Sequence, residues 1–227
     1  MRPGNITMPP LTTRRIWFMY NPPHFAENDI GTIHAAIRAN SFATLVSNTP
    51  DGLIANHMPL LLDPSKGAHG TLVGHLARPN PHTKATADDA LAIFQGVNGY
   101  ITPSYYETKR QNGKVVPTWN YTAVHAYGPL RFFDDPRELL DIVTRLTAHH
   151  ESPRAQPWAV SDAPDDFVQT MLKGIIGFEL TIQRLEAKWK MSQNRPAADQ
   201  AGVVDGLLAD GNADLAAEVA ARTRSPA

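Results

Sequence analysis

A chain of 227 residues, 42% hydrophobic and 19% charged, is long and apolar enough to bury a core in one domain with elaborations. With 21 basic against 22 acidic residues, its net charge of −1 creates no global field toward nucleic acid or anionic lipid, so any bound anion must be gripped locally. Cysteine is absent, which excludes disulfides, thiolate metal sites and a cysteine nucleophile.

Residues 1–18 read as a disordered extension ahead of a domain over 19–208, with a helical insertion near 135–175 and a C-terminal helix and tail over 209–227. The N-terminus lacks the apolar core of a signal peptide, and no apolar run reaches the length of a membrane span. A cytoplasmic protein without membrane contact is expected. Ile30, Ile33 and Ile37 fall on one face of a helix closing near Asn40. "FATLVS" (42–47), "GLIANHMPLLL" (52–62), "GTLVGHLA" (70–77) and "ALAIFQG" (90–96) read as strands, and their close spacing predicts an antiparallel barrel or sandwich.

Residues 100–133 read as a long hairpin turning at Asn112-Gly113. Its return strand places Trp119, Tyr121, Ala123, His125 and Tyr127 on one face and Thr118, Asn120, Thr122, Val124 and Ala126 on the other. Asp135, Pro136 and Glu138 open one helix. A second starts near Pro164, with Phe167, Met171, Leu172 and Ile175 on its buried side. In the last strand, over 177–192, Phe178, Leu180 and Ile182 share one phase, while Leu185, Ala187, Trp189 and Met191 share the other. The change predicts a bulge near Gln183–Arg184. With Trp189 and Met191 in the core, Lys188, Lys190 and Ser192 point outward.

Three stretches carry candidate chemistry. In "KWKMSQNRP" (188–196), Lys190, Ser192 and Arg195 combine cations and a neutral donor suited to a dianionic phosphate, and Gln193 and Asn194 suit the edge of a heterocycle. A solvated strand end is the competing reading. In "GHLARPNPH" (74–82), a strand delivers Arg78 into a turn stiffened by Pro79 and Pro81, beside Asn80 and His82; an ion-paired structural arginine competes with a phosphate ligand. "VPTWNY" (116–121) offers Trp119, Asn120 and Tyr121, as stacking surface or as core aromatics. The nine histidines lack metal-ligand spacing, so no metal site is expected. The one basic knot, Lys109, Arg110 and Lys114, supports only weak, salt-sensitive contact with DNA.

Together "MYNPPHF", "GHLARPNPH", "VPTWNYTAVHAYG", "MLKGIIGFEL" and "LEAKWKMSQNRP" resemble the PaiB family of FMN-binding negative transcriptional regulators, from about Met19 to about Leu208. The resemblance implies a mainly β fold with flanking helices, an antiparallel split β-barrel of the FMN-binding type akin to pyridoxamine 5′-phosphate oxidases. It also implies a homodimer with FMN at the subunit interface. By motif it assigns FMN contacts to Arg78, Asn80, Trp119, Asn120, Tyr121, Lys190, Ser192, Gln193, Asn194 and Arg195, with Arg78 and Lys190 as phosphate ligands. Asn56 and His57 are added because their strand presents phosphate contacts in related barrels, not by a motif of their own. Function divides between a regulator of protease, sporulation or stationary-phase genes, meeting DNA or a regulatory partner, and a flavin-dependent oxidoreductase acting on a small molecule. No catalytic residue stands out among His57, His75, His82, His125 and Tyr121.

Overall fold

Strands form where apolar side chains alternate with polar ones, and they build two antiparallel sheets in the computed structural model, which describes residues 19–86 and 90–223. The expected extension over 1–18 and the end of the tail lie outside the described residues. The larger sheet runs β1 (Ala26–Glu27), β10 (Arg184–Lys190), β7 (Thr118–Gly128), β6 (Ala90–Ile101), β2 (Phe42–Thr49), β3 (Gly52–Pro59). The smaller runs β4 (Leu61–Asp63), β5 (Thr71–Ala77), β9 (Ile175–Thr181), β8 (Leu130–Phe133). The chain changes sheet at Leu60, between Ala77 and Ala90, at Pro129 and at Ile182–Gln183. The two sheets are not hydrogen-bonded to each other, so the barrel is split, as expected. Leu45 and Phe94 from the large sheet meet Leu72, Phe178 and Leu180 from the small one in the core, each buried side chain contributing about 1.5–3 kcal/mol.

Helices close the ends. Asp29 caps α1 (Ile30–Ala39) by accepting from the Thr32 N–H at 2.7 Å, and Ile33 and Ile37 are buried. Asp135 caps α3 (Pro136–Glu151) through the N–H groups of Arg137 and Glu138 at 2.9 and 3.1 Å. In α4 (Asp165–Leu172) only Leu172 is buried; Phe167 and Met171, expected inside, are exposed, because this two-turn helix leans on α3 and not on a sheet. The helix α6 (Ala213–Thr223) inserts Leu215, Ala216 and Val219 into the main core.

Two expectations need correction. The stretch 100–133 is not one hairpin: β6 ends at Ile101, and residues of the supposed tip form α2 (Glu107–Asn112). Gly113, at φ 69°, caps that helix, since the left-handed conformation that suits a tight hairpin also ends a helix. The phase change before Arg184 lies where expected, but it is the passage from one sheet to the other. A helix not foreseen, α5 (Ala197–Ala209), follows Pro196; Gly202 and Gly206 weaken its sequence signal. Among the described residues, no helix is long and apolar enough to cross a membrane.

Candidate functional site

Alternation along β10 sends Trp189 into the core and turns Lys190 the other way. The Lys190 ammonium donates to the Thr118 hydroxyl and the Trp119 carbonyl, each at 2.5 Å. Two residues on, Ser192 adopts φ 64°, the only positive φ at a non-glycine among the described residues. Its hydroxyl meets the Asn120 amide at 2.9 Å, both side chains buried. The sharp turn carries Asn194 and Arg195 back beside Lys190. The result is a cavity of about 90 Å³ lined by Phe25, Thr118, Asn120, Lys190, Ser192, Asn194 and Arg195.

No acidic side chain lines this cavity. Burial first, then the charges of Lys188 and Arg195, pull the Lys190 pKa below its ordinary value. Arg195 rests over the Tyr106 ring, 4.7 Å from its centroid. Cations held together without a counter-ion make a site that an anion stabilises. Its size suits a phosphate group and excludes a flavin ring. Gln193 does not face it: its carbonyl accepts from Met191 N–H at 2.7 Å and its amide donates to the Trp189 carbonyl at 2.5 Å, which staples the turn.

Lys188 departs from expectation. The N-terminal strap crosses β10 and pairs with it through β1, leaving Lys188 only 5% exposed. Its ammonium donates to the Tyr20 carbonyl at 2.7 Å and lies 5.5 Å from the Tyr20 and Tyr121 rings and 6.0 Å from that of Phe25. Ser192, also expected outward, is buried by the turn it makes.

The remaining predicted residues lie elsewhere. Asn56 and His57 are successive on β3 and face opposite sides of the sheet. Asn56 donates to Nδ1 of the buried His82 at 2.8 Å, which places the imidazole proton on Nε2, toward the Ser47 hydroxyl at 2.8 Å. Asn80 donates to the Asn56 carbonyl at 3.2 Å. This network pins the turn after β5 to β2 and β3. His57 stays exposed, bonded to Thr44 at 2.9 Å. Arg78 donates to the carbonyls of Lys173 and Ile175 at 2.9 and 3.2 Å and pairs with Asp134. None of its partners borders the Lys190 cavity. Four strand spacings, roughly 19 Å at about 4.8 Å each, separate β10 from β3.

Within the single chain the structure therefore gathers Asn120, Lys190, Ser192, Asn194 and Arg195, and leaves Asn56, His57, Arg78 and Asn80 apart. Trp119 and Tyr121 flank the cavity on the outer face, Tyr121 directly opposite Lys190 in register. Phe25, Thr118 and Tyr106 complete the site; Phe25 and Thr118 lie within motifs already singled out, whereas no sequence signal marks Tyr106. That outer face also exposes Phe42 (69%) and Leu53 (76%).

A family model described as "Putative FMN-binding domain" matches residues 19–184. An uncharacterized protein of Emericella nidulans is 35% identical over 226 residues, covering 83% of this chain and 90% of its own. A Bacillus subtilis protein, "Protease synthase and sporulation protein PAI 2", is 34% identical over 196 residues, covering 86% and 91%. Among solved structures, a conserved hypothetical protein from Mycobacterium tuberculosis shares the fold with a TM-score of 0.55 at 10% identity, over 78% of this chain and 94% of that one. The family match stops at residue 184, so the Lys190 cavity is built mostly from residues beyond it.

Proposed function

Because this chain belongs to the FMN-binding domain family, with FMN as its cofactor, we propose that it is a homodimeric PaiB-like flavoprotein that acts as a negative regulator of protease or sporulation genes. One observation carries the cofactor placement: the cavity at Lys190 and Arg195 presents cations and neutral donors with no acidic lining, the chemistry a flavin phosphate requires. Trp119 and Tyr121 beside it provide flat surface for the flavin. The apolar residues exposed on the outer face, Phe42 and Leu53 among them, favour a second copy as their cover. In such a dimer, residues of the β3 edge of one protomer reach the flavin held at β10 of the other. The regulatory role rests on the Bacillus relative and its name.

Bound FMN supplies electron and hydride transfer, and the protein positions it. A second reading, a flavin-dependent oxidoreductase acting on a small molecule, is favoured by one arrangement on the outer face. The Tyr127 hydroxyl donates to Glu186 at 3.1 Å and lies 3.3 Å from His125 Nδ1, so the His125 proton sits on Nδ1 and Nε2 is left as a free base. The test is a titration of the purified protein with FMN, beside a DNA-shift assay over a salt series and an assay of NAD(P)H oxidation. Yellow protein with a sequence-specific shift and no turnover supports regulation. Turnover without a shift transfers the case to the enzyme, and failure to take up FMN ends both.

A further inference from the structure

A cavity of about 620 Å³ opens between α1 and α6, on the side of β10 opposite Lys190. Trp189, Val97 and Thr122 form its floor, and Asn40, Glu218 and Arg222 stand among its lining. Trp189 and Thr122 are 5% and 7% exposed, and neither the indole N–H nor the hydroxyl has a hydrogen-bond partner among the described residues. Neither polar atom is sealed from solvent, so both present free hydrogen-bonding capacity to the cavity.

The charges narrow what fits. Arg222 is already neutralised by Glu27 and lies over the Trp189 ring at 4.8 Å, so it does not call for an anion. Glu218 has no ion-pair partner among the described residues. The carboxylate requires a donor, the indole N–H requires an acceptor, and the hydroxyl serves as either. Alanines of α1 and Val97 leave flat apolar walls between these groups. The volume falls in the range of small-molecule sites.

We propose that this cavity binds a flat, amino-substituted nitrogen heteroaromatic, its ring nitrogen accepting from Trp189 and its amino group donating to Glu218. The site is independent of the flavin reading, since its residues lie on the other face of β10.

Adenine is a suitable probe, with hypoxanthine, which carries a carbonyl in place of the amine, as its control. Calorimetry and saturation-transfer NMR on the full chain should show adenine binding with equal affinity in the absence and presence of saturating FMN. Thr122→Val and Glu218→Gln should each weaken it roughly fivefold, the scale of one hydrogen bond, and hypoxanthine should bind more weakly than adenine. Both substitutions are close in shape to the native residue, and thermal melts verify folding. The proposal is overturned if adenine fails to bind at millimolar concentration, which would mark a water-filled cleft only. It is equally overturned if FMN displaces adenine, if both variants bind it unchanged, or if hypoxanthine binds as well.

Discussion

The Arg195 guanidinium lies over the Tyr106 ring, 4.7 Å from its centroid, while the Tyr106 hydroxyl is buried without a partner. An aromatic platform orients the cation without neutralising it, so the charge stays available to a ligand. Tyr106→Leu should weaken FMN binding by about 0.5–2 kcal/mol through loss of that platform. Tyr106→Phe keeps the ring and removes an unbonded hydroxyl, so affinity should hold and the melting temperature should stay level or rise. Flavin-fluorescence titration and thermal melts of the two variants provide the comparison.

Lys190→Ala should cost about 1.5–3 kcal/mol of FMN affinity, the scale of a charge-assisted hydrogen bond. The pKa of Lys190 is depressed by burial and by Lys188 and Arg195, so it loses its proton at lower pH than an ordinary lysine. An anion binds the protonated form, and affinity should therefore fall as pH rises through that depressed value. Lys190→Arg, which does not titrate, should hold its affinity further into the alkaline range. Dissociation constants from neutral to alkaline pH decide the matter, and identical profiles would remove Lys190 from the site.

Acid should destabilise the fold through its partly or wholly buried histidines, His75 and His82 among them. Burial lowers the pKa of His75 and of His82 below the ordinary 6.5, so the unfolded chain binds more protons than the native one in acid. Their stabilising effect is complete above 6.5 and is lost as pH falls through it toward the depressed native values. His82→Leu should cost about 1–3 kcal/mol outright, because Asn56 and Ser47 each lose a buried partner, and should flatten the acid limb. Urea unfolding across that pH range measures both effects.

Two glycine substitutions should differ sharply. A Cβ at Gly128 would overlap the Thr181 carbonyl oxygen, a backbone atom with nowhere to move, so Gly128→Ala should cost about 3 kcal/mol or more. At Gly113 nothing crowds the added methyl, and the cost of Gly113→Ala is the left-handed conformation alone, about 1 kcal/mol. Melting curves that rank the two in the reverse order would contradict this account of the sheet junction.

Leu53 tests the proposed subunit interface. Leu53→Glu places a charge on an exposed apolar residue that has little packing to lose within its protomer. It should shift sedimentation from dimer to monomer with little change in the melt of the protomer itself. A variant that sediments like the parent protein would move the interface away from this face.

The strands were legible because alternation survives in a half-buried sheet: the two faces of β7 and the phase change before Arg184 both lie where the pattern placed them. Asn112-Gly113 misled because one backbone preference serves two purposes, ending a helix and turning a hairpin. The cavity at Lys190 was legible in part, since cations and neutral donors lie close in sequence. Phe25 and Tyr106 come from segments about 165 and 90 residues away; Phe25 ends the motif "MYNPPHF", whereas Tyr106 carries no local signature. Arg78 looked like a ligand because a strand and two prolines deliver it to a defined place. That place proves to be a pair of backbone carbonyls.

The passage from β9 to β10 occupies only Ile182 and Gln183, and every side chain after it depends on their number. Adding or deleting one residue there would exchange the two faces of β10, exposing Trp189 and driving Lys188 and Lys190 into the core. Ile182 is 1% exposed in the main core and resists substitution, Gln183 is freer to vary, and the linker's length is fixed by two sheets at once. Among relatives of this chain, gaps should gather in the loops around α3 and α4 and avoid this junction.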